Sequence, residues 1–320
     1  MPPTVTVTRK LPPAVEAALT AEFDARLNPD DRPMGAAALR AAFEESDAVL
    51  PTVSDRIGAD LFGPPLRARL IANFGVGTDH IDLDAAVAAG LVVTNTPGVL
   101  TDCTADLTMA LLLAVMRRLG EAERELRGGA WTGWRPTHML GTRVTGKTLG
   151  IVGFGRIGRA VARRAHHGFG MRILFHTPET PPPEECAGLG AEPRESLDAM
   201  LEECDVVSIH CPATPETRHL IDAVRLARMK PDSFLVNTAR GDIVDEVALV
   251  AALKAGRLAG AGLDVYEREP AVSAGLLELG NVVLLPHIGS ASVETRTDMG
   301  MRALDNLRAF FAGQEPPDRI

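Results

Sequence analysis

Three short stretches, VNTARGDIVDE, GLDVYEREP and LLPHIGSAS, each set a charged or titratable side chain just beyond an apolar or β-branched run: Arg240, Glu269 and His287. Taken singly, they read as a solvated or ion-paired arginine, a glutamate capping the turn at Pro270, and a structural histidine. Taken together, they are the three chemical types that reduction of a 2-keto acid requires. Arginine can grip a planar carboxylate with two parallel hydrogen bonds, a geometry lysine does not offer. Histidine, with an ordinary pKa near neutrality, can pass a proton to a carbonyl oxygen. A carboxylate beside it favours the imidazolium and holds one tautomer. In open α/β sheets ligands gather at the carboxyl ends of the strands, which is where all three residues are expected.

A fourth stretch, TLGIVGFGRIGRAVARRA, runs a β-branched strand into G-x-G-x-x-G and directly into a helix. Gly153 permits the tight turn, Gly155 lets the backbone approach a pyrophosphate, and Gly158 allows close helix–sheet contact. The helix start then offers N–H groups and a positive dipole end to the phosphates. In IANFGVGTDHIDLDAAV, Gly75 and Gly77 also follow a strand, but no third glycine completes the motif. That loop reads either as an ordinary turn or as a set of N–H groups near Val76 and Gly77 that hold a small anion.

Elements must carry these residues. TVTVT, DAVLPT, RLIANF and LVVTNT predict four strands before residue 97, and TLGIVG, MRILFHT, DVVSIHCP, SFLVNTAR, GAGLDVY and NVVLLPH predict six more. Helix-like segments separate them, the signature of parallel α/β construction. Two doubly wound, Rossmann-like sheets are expected. TDCTADLTMALLLAVMRRLGEAERELRGG predicts one long helix between the two series, with MALLLAV buried. After His287, Met301, Leu304, Leu307 and Phe311 share a helical face that needs a host core, and packing against the first domain would make that domain discontinuous. The expected division is 1–98 with 288–320 as substrate domain and 99–287 as dinucleotide-binding domain. PETPPPEE is expected to be an exposed loop.

At 320 residues with 46% hydrophobic and 23% charged side chains, the chain has the composition of a two-domain globular protein. A net charge of −9 with no dense basic run argues against a nucleic-acid partner. No apolar run approaches a membrane span, and the N-terminus lacks a secretory signal, so no membrane partner and a cytoplasmic location are expected. Cys103, Cys186, Cys204 and Cys211 show neither metal-ligand nor disulfide-framework spacing, so no metal is expected.

GFGRIG, NTARGDIVDE, AGLDVYEREP and LLPHIGSAS, in that order, resemble the D-isomer-specific 2-hydroxyacid dehydrogenase family, and most its glyoxylate/hydroxypyruvate reductase branch. FGVGTDHIDL and VTNTPGVLTDCTADLTMALLLAVMRR extend the resemblance over nearly the whole chain, with Asp106 where many members carry Glu. The resemblance implies a cofactor domain inserted into the substrate domain, a homodimer, and reduction of glyoxylate or hydroxypyruvate by NADP(H) or NAD(H). It implies that Arg240 binds and polarises the substrate, that His287 is the general acid/base with Glu269 as its partner, and that Val76 and Gly77 meet the substrate carboxylate. It also implies that Asp264 contacts the nicotinamide carboxamide and that Arg156, Ile157, Cys211, Thr238, Ala239 and Ser290 line the cofactor. RGGAWTGWRPTHMLG resembles a loop reaching a partner's active site, with Trp134 as either a wall limiting substrate size or an anchor at the dimer interface. A nicotinamide-sensing, corepressor-like binding protein on the same scaffold and a short phosphoglycerate dehydrogenase are the alternatives.

One residue departs from the NAD pattern. In NAD-selective members the second strand of the cofactor unit ends in an acidic residue that bonds the ribose hydroxyls and repels a 2′-phosphate. Here MRILFHT ends in Thr177. That leaves the hydroxyls of Thr177 and Thr180, loop N–H groups and Arg156 to hold such a phosphate. Use of NADPH at least as good as that of NADH is expected.

Overall fold

Parallel pairing accounts for every strand of the two sheets in the computed structural model, which describes residues 1–179 and 181–320, the side chain of Glu185 apart. The chain divides into two compact units, Met1–Leu100 with Ser290–Ile320, and Thr101–Gly289.

The first unit carries β1 (Thr4–Val7), β2 (Asp24–Arg26), β3 (Ala48–Leu50), β4 (Leu70–Ala72) and β5 (Val92–Thr94), in the order β2-β1-β3-β4-β5. Its central strands β1, β3 and β4 are buried on both faces, as parallel sheets require. Val5, Val7, Leu50 and Leu70 feed one core, while Val49, Ile71 and Val93 feed the other. The C-terminal helix Val293–Phe311, capped by the Ser292 hydroxyl accepting from Thr295 N–H at 3.1 Å, returns to this unit. Leu304 and Leu307 are buried in the first core, with Met301 and Phe311 packed at its margin, as their spacing predicts. At Gly300 a Cβ would stand 2.4 Å from Val15, so the helix rides directly on the Pro13–Glu22 helix.

The second unit carries β6 (Thr148–Val152), β7 (Arg172–His176), β8 (Ala191–Pro193), β9 (Val206–Ile209), β10 (Phe234–Asn237), β11 (Gly260–Leu263) and β12 (Val282–Leu284), in the order β12-β11-β10-β9-β6-β7-β8. Consecutive residues alternate between two cores: Leu174, Val207 and Leu235 on one face, Phe175, Val206 and Val236 on the other. The chain leaves β6 toward β7 and β8 and then crosses to β9 on the other side, so the strand order reverses between β6 and β9. In such sheets that is where ligands bind.

Two expectations change. The segment after residue 100 is two helices, Thr101–Met116 and Leu119–Arg127, because Arg118 turns into the left-handed region at φ 55°. Thr142 N–H donates to Met116 C=O at 2.7 Å, so a crossing chain takes a carbonyl of the last turn. Met109, Leu111, Leu112 and Val115 are buried as expected. Each sheet also has one strand that the apolar pattern does not announce, the three-residue edges β2 and β8. The Pro-rich loop is exposed at Pro178, Glu179 and Pro182; Thr180 lies outside the described residues.

Candidate active site

The candidate residues of the second unit stand on neighbouring strands at one edge of its sheet. Gly153 follows β6, Cys211 follows β9, Arg240 follows β10, Asp264 and Glu269 follow β11, and His287 follows β12. Backbone bonds continue the ladder past the strands, from Asp264 N–H to Asn237 C=O and from His287 N–H to Asp264 C=O, both 2.9 Å. Residues far apart in sequence are thereby fixed in one row.

His287 Nδ1–H donates to Glu269 Oε2 at 2.7 Å. The other carboxylate oxygen, Oε1, accepts Tyr266 N–H at 3.1 Å, so both oxygens are held. Burial works to raise the Glu269 pKa, but the His287 hydrogen bond and charge, Tyr266 N–H and the Arg240 charge outweigh it, and the carboxyl lies below its ordinary value. The pair keeps about a third of its surface open, 31% for His287 and 34% for Glu269, so a small molecule can reach the imidazole.

His287 has a φ of 53°, a left-handed conformation uncommon for any residue that carries a Cβ. Asp264 holds it there. Its carbonyl accepts His287 N–H, and its carboxylate accepts Ile288 N–H and Gly289 N–H, each at 2.7 Å. Burial raises the Asp264 pKa against the opposing pull of these donors and of His287. Asp264 is fully buried, and its carboxylate serves the backbone after His287.

Arg240 is half-buried. Its turn is shaped by Asn237, whose Nδ2 donates to Arg240 C=O at 2.8 Å and whose Oδ1 accepts Ala239 N–H at 3.0 Å. Thr238 is buried and shares a 2.9 Å hydrogen bond with Thr108. Ser290 is half-buried at the start of the last segment, its carbonyl accepting from Arg296 Nε at 3.2 Å.

The glycine turn passes a steric test for a dinucleotide. At Gly153, which has φ 89°, a Cβ would lie 2.5 Å from Cys211 N, and at Gly158 it would lie 2.4 Å from Gly153 C=O. At Gly155 a Cβ would meet nothing within 4 Å, so this one side of the turn is open. Gly155 is the N-cap of the helix Arg156–Phe169 and no side chain caps it, leaving first-turn N–H groups for phosphate. The residues fit a pyrophosphate-bearing cofactor. Arg156 is exposed and makes no ion pair or hydrogen bond among the described residues, while Ile157 is half-buried. Thr177 is half-buried just beyond β7. The nearby Arg172 and Arg194 are committed to Glu192 and Glu203 in a four-residue ion network.

Val76 and Gly77 lie in the first unit, beyond β4. Thr96 N–H and Asn73 Nδ2 bond Gly75 C=O, Asn95 Nδ2 bonds Val76 C=O at 3.0 Å, and Asn73 Nδ2 bonds Gly77 C=O at 3.0 Å. The loop's carbonyls are thus engaged, while the N–H groups of Val76 and Gly77 donate to no acceptor among the described residues. That is the arrangement an anion site needs. Trp134 is 83% exposed. Among the described residues, no cluster of three His, Cys, Asp or Glu could hold a metal, and no helix is long and apolar enough to cross a membrane.

Comparison with known proteins gives the family. Residues 109–289 match the model of the D-isomer specific 2-hydroxyacid dehydrogenase, NAD binding domain. The whole chain is 47% identical to a glyoxylate reductase of Thermococcus kodakarensis, over 96% of that protein. Among solved structures, an NADPH-dependent glyoxylate/hydroxypyruvate reductase from Sinorhizobium meliloti in complex with NADP and malonate superimposes with a TM-score of 0.87 at 39% identity, covering 100% of this chain and 97% of that one. A D-mandelate dehydrogenase from Rhodotorula graminis also gives 0.87, at 31% identity and with 100% and 98% covered. With the family model covering over half its length and such relatives along all of it, the chain belongs to the D-isomer specific 2-hydroxyacid dehydrogenase family.

Proposed function

We propose that the protein is a reductase of small 2-keto acids, glyoxylate and hydroxypyruvate foremost, that uses NADPH in preference to NADH. The observation that carries this reading is the 2.7 Å bond between His287 and a doubly held Glu269, on the same sheet edge as an open glycine turn. When bound, the cofactor supplies the hydride for the keto carbon.

The chain's own residues do the rest. Glu269 occupies His287 Nδ1, so Nε2 is the atom that delivers the proton to the carbonyl oxygen. The carboxylate fixes that tautomer. Arg240 offers its planar fork to the substrate carboxylate and the adjoining oxygen. Val76 and Gly77 are assigned to substrate binding through their N–H groups, with the first unit as the substrate-binding one and the second as the cofactor-binding one. The N–H groups after Gly155 are assigned the pyrophosphate, and Cys211, Thr238, Ala239 and Ser290 the walls of the cofactor site. Arg156, with no partner among the described residues, and Thr177 are assigned the 2′-phosphate. The reading includes a homodimer and a reducing, cytoplasmic setting, which four unbridged cysteines suit.

The test follows nicotinamide absorbance with glyoxylate, hydroxypyruvate and pyruvate, each with both cofactors. His287→Ala is expected to lower kcat by about 10²-fold or more, the usual worth of a general acid, and to leave the Kd for NADPH unchanged by fluorescence titration. Cofactor binding without turnover of any keto acid overturns the reading in favour of a nicotinamide sensor.

A further inference from the structure

A second imidazole–carboxylate pair stands beside the proton-transfer pair and is not explained by it. His219 Nε2–H donates to Glu267 Oε1 at 2.6 Å, and Glu267 lies two residues before Glu269 in the same loop. Like His287, His219 is held in the left-handed region, at φ 49°, and its N–H donates to Asp242 C=O at 2.8 Å. A non-glycine residue kept in that conformation signals surroundings that over-determine it. Here both strained histidines grip carboxylates of one short loop.

The loop is packed against the turn that carries Arg240. At Gly241 a Cβ would lie 1.9 Å from Tyr266 C and 2.4 Å from Glu267 N, so two backbones touch there. Glu267 and Glu246 exchange bonds, each backbone N–H donating to the other's carboxylate at 3.3 Å. Two half-buried carboxylates are thereby brought close, and like charges at short range repel. Among the described residues, the His219 imidazole is the side chain that donates to Glu267. Without it, the repulsion drives Glu267 outward and takes the backbone of Tyr266, to which it is joined, with it. That backbone matters because Tyr266 N–H orients Glu269 Oε1.

We infer that His219 is a positioning residue for proton transfer: through Glu267 and the adjoining backbone of Tyr266 it sets the orientation of Glu269, and so of the His287 imidazole. The inference rests on the reading of His287 as proton donor, and its test separates the two.

His219→Ala and His219→Gln share the same backbone strain, but the glutamine amide can still donate to Glu267. In His219→Ala, kcat is expected to fall about tenfold, within the up to ~10²-fold that misplacement by an ångström can cost, with KM for glyoxylate and Kd for NADPH changed less than about twofold. The downfield ring N–H proton resonance of His287, identified by its loss in His287→Ala, is expected to shift or broaden. His219→Gln restores most of both. In a Glu269→Gln background, removal of His219 costs little further, because residues that act through one another are not additive. An unmoved resonance with normal kcat, equal losses for Ala and Gln, or an undiminished further loss in the Glu269→Gln background each overturns the inference. If the resonance moves while Glu269→Gln and His287→Ala themselves turn over normally, the positioning role stands and the proton-donor reading falls.

Discussion

Glu269 is poised to act through His287 rather than on substrate, since both its oxygens are engaged by the protein. Glu269→Gln keeps the shape and removes the negative charge beside the proton donor. The alkaline limb of the reduction profile is expected to move to lower pH; an unmoved limb would sink the pairing. The folded-state pKa of Glu269 is depressed, so its stabilisation is present above the ordinary value of 4.5 and is lost as pH falls through the folded value. The stability gap between wild type and variant should therefore close on acidification. Thr177 carries a separate part of the proposal. With Arg172 and Arg194 tied into ion pairs, the proposed reading leaves selection for the 2′-phosphate to the missing acidic repulsion and to Arg156. Thr177→Asp is expected to shift the ratio of kcat/KM for the two cofactors toward NADH. A strong wild-type preference for NADH that the substitution leaves alone would show that the position does not choose.

At the scale of elements, the three glycines of one turn have different structural neighbours and should fail differently. Gly158→Ala pushes a Cβ to 2.4 Å from Gly153 C=O and should lower Tm, since backbone has to move. Gly155→Ala meets nothing within 4 Å and should leave Tm alone while weakening NADPH by about tenfold, or 1.4 kcal/mol, as the new methyl takes the space of the phosphate. Normal NADPH affinity in Gly155→Ala would place the pyrophosphate elsewhere. The motif itself was legible in sequence because a strand, three glycines and a helix follow one another without a gap. The other ten strands were legible from their apolar runs. The edges β2, DAR, and β8, AEP, were not, because these two bury little and carry no such run. The break at Arg118 was equally hidden: its cause is the chain at Gly141 and Thr142, whose crossing no local pattern encodes. Asp264 shows the same limit. GLDVYE marks it as a residue of interest, but its grip on the backbone after His287 depends on the pairing of β11 with β12.

At the scale of the whole molecule, exposed apolar side chains are concentrated in one stretch of the second unit. Leu119, Leu126, Trp131, Trp134 and Leu140 are between 52% and 83% exposed, all within 22 residues of chain. Single exposed apolar residues need no explanation, whereas a run of them around two tryptophans fits a surface that a partner covers. The proposed homodimer supplies that partner. Trp134, the most exposed of the five, then serves as an anchor, a part tryptophan often plays at interface centres, where truncation costs about 2 kcal/mol or more. Trp134→Ala is expected to weaken the dimer by roughly thirtyfold in sedimentation equilibrium, the equivalent of that energy. The ranking of glyoxylate over bulkier keto acids should remain as in the wild type. A variant that stays dimeric and gains on bulky keto acids relative to glyoxylate would instead make Trp134 the wall that limits substrate size, and would move the interface anchor to another of the five.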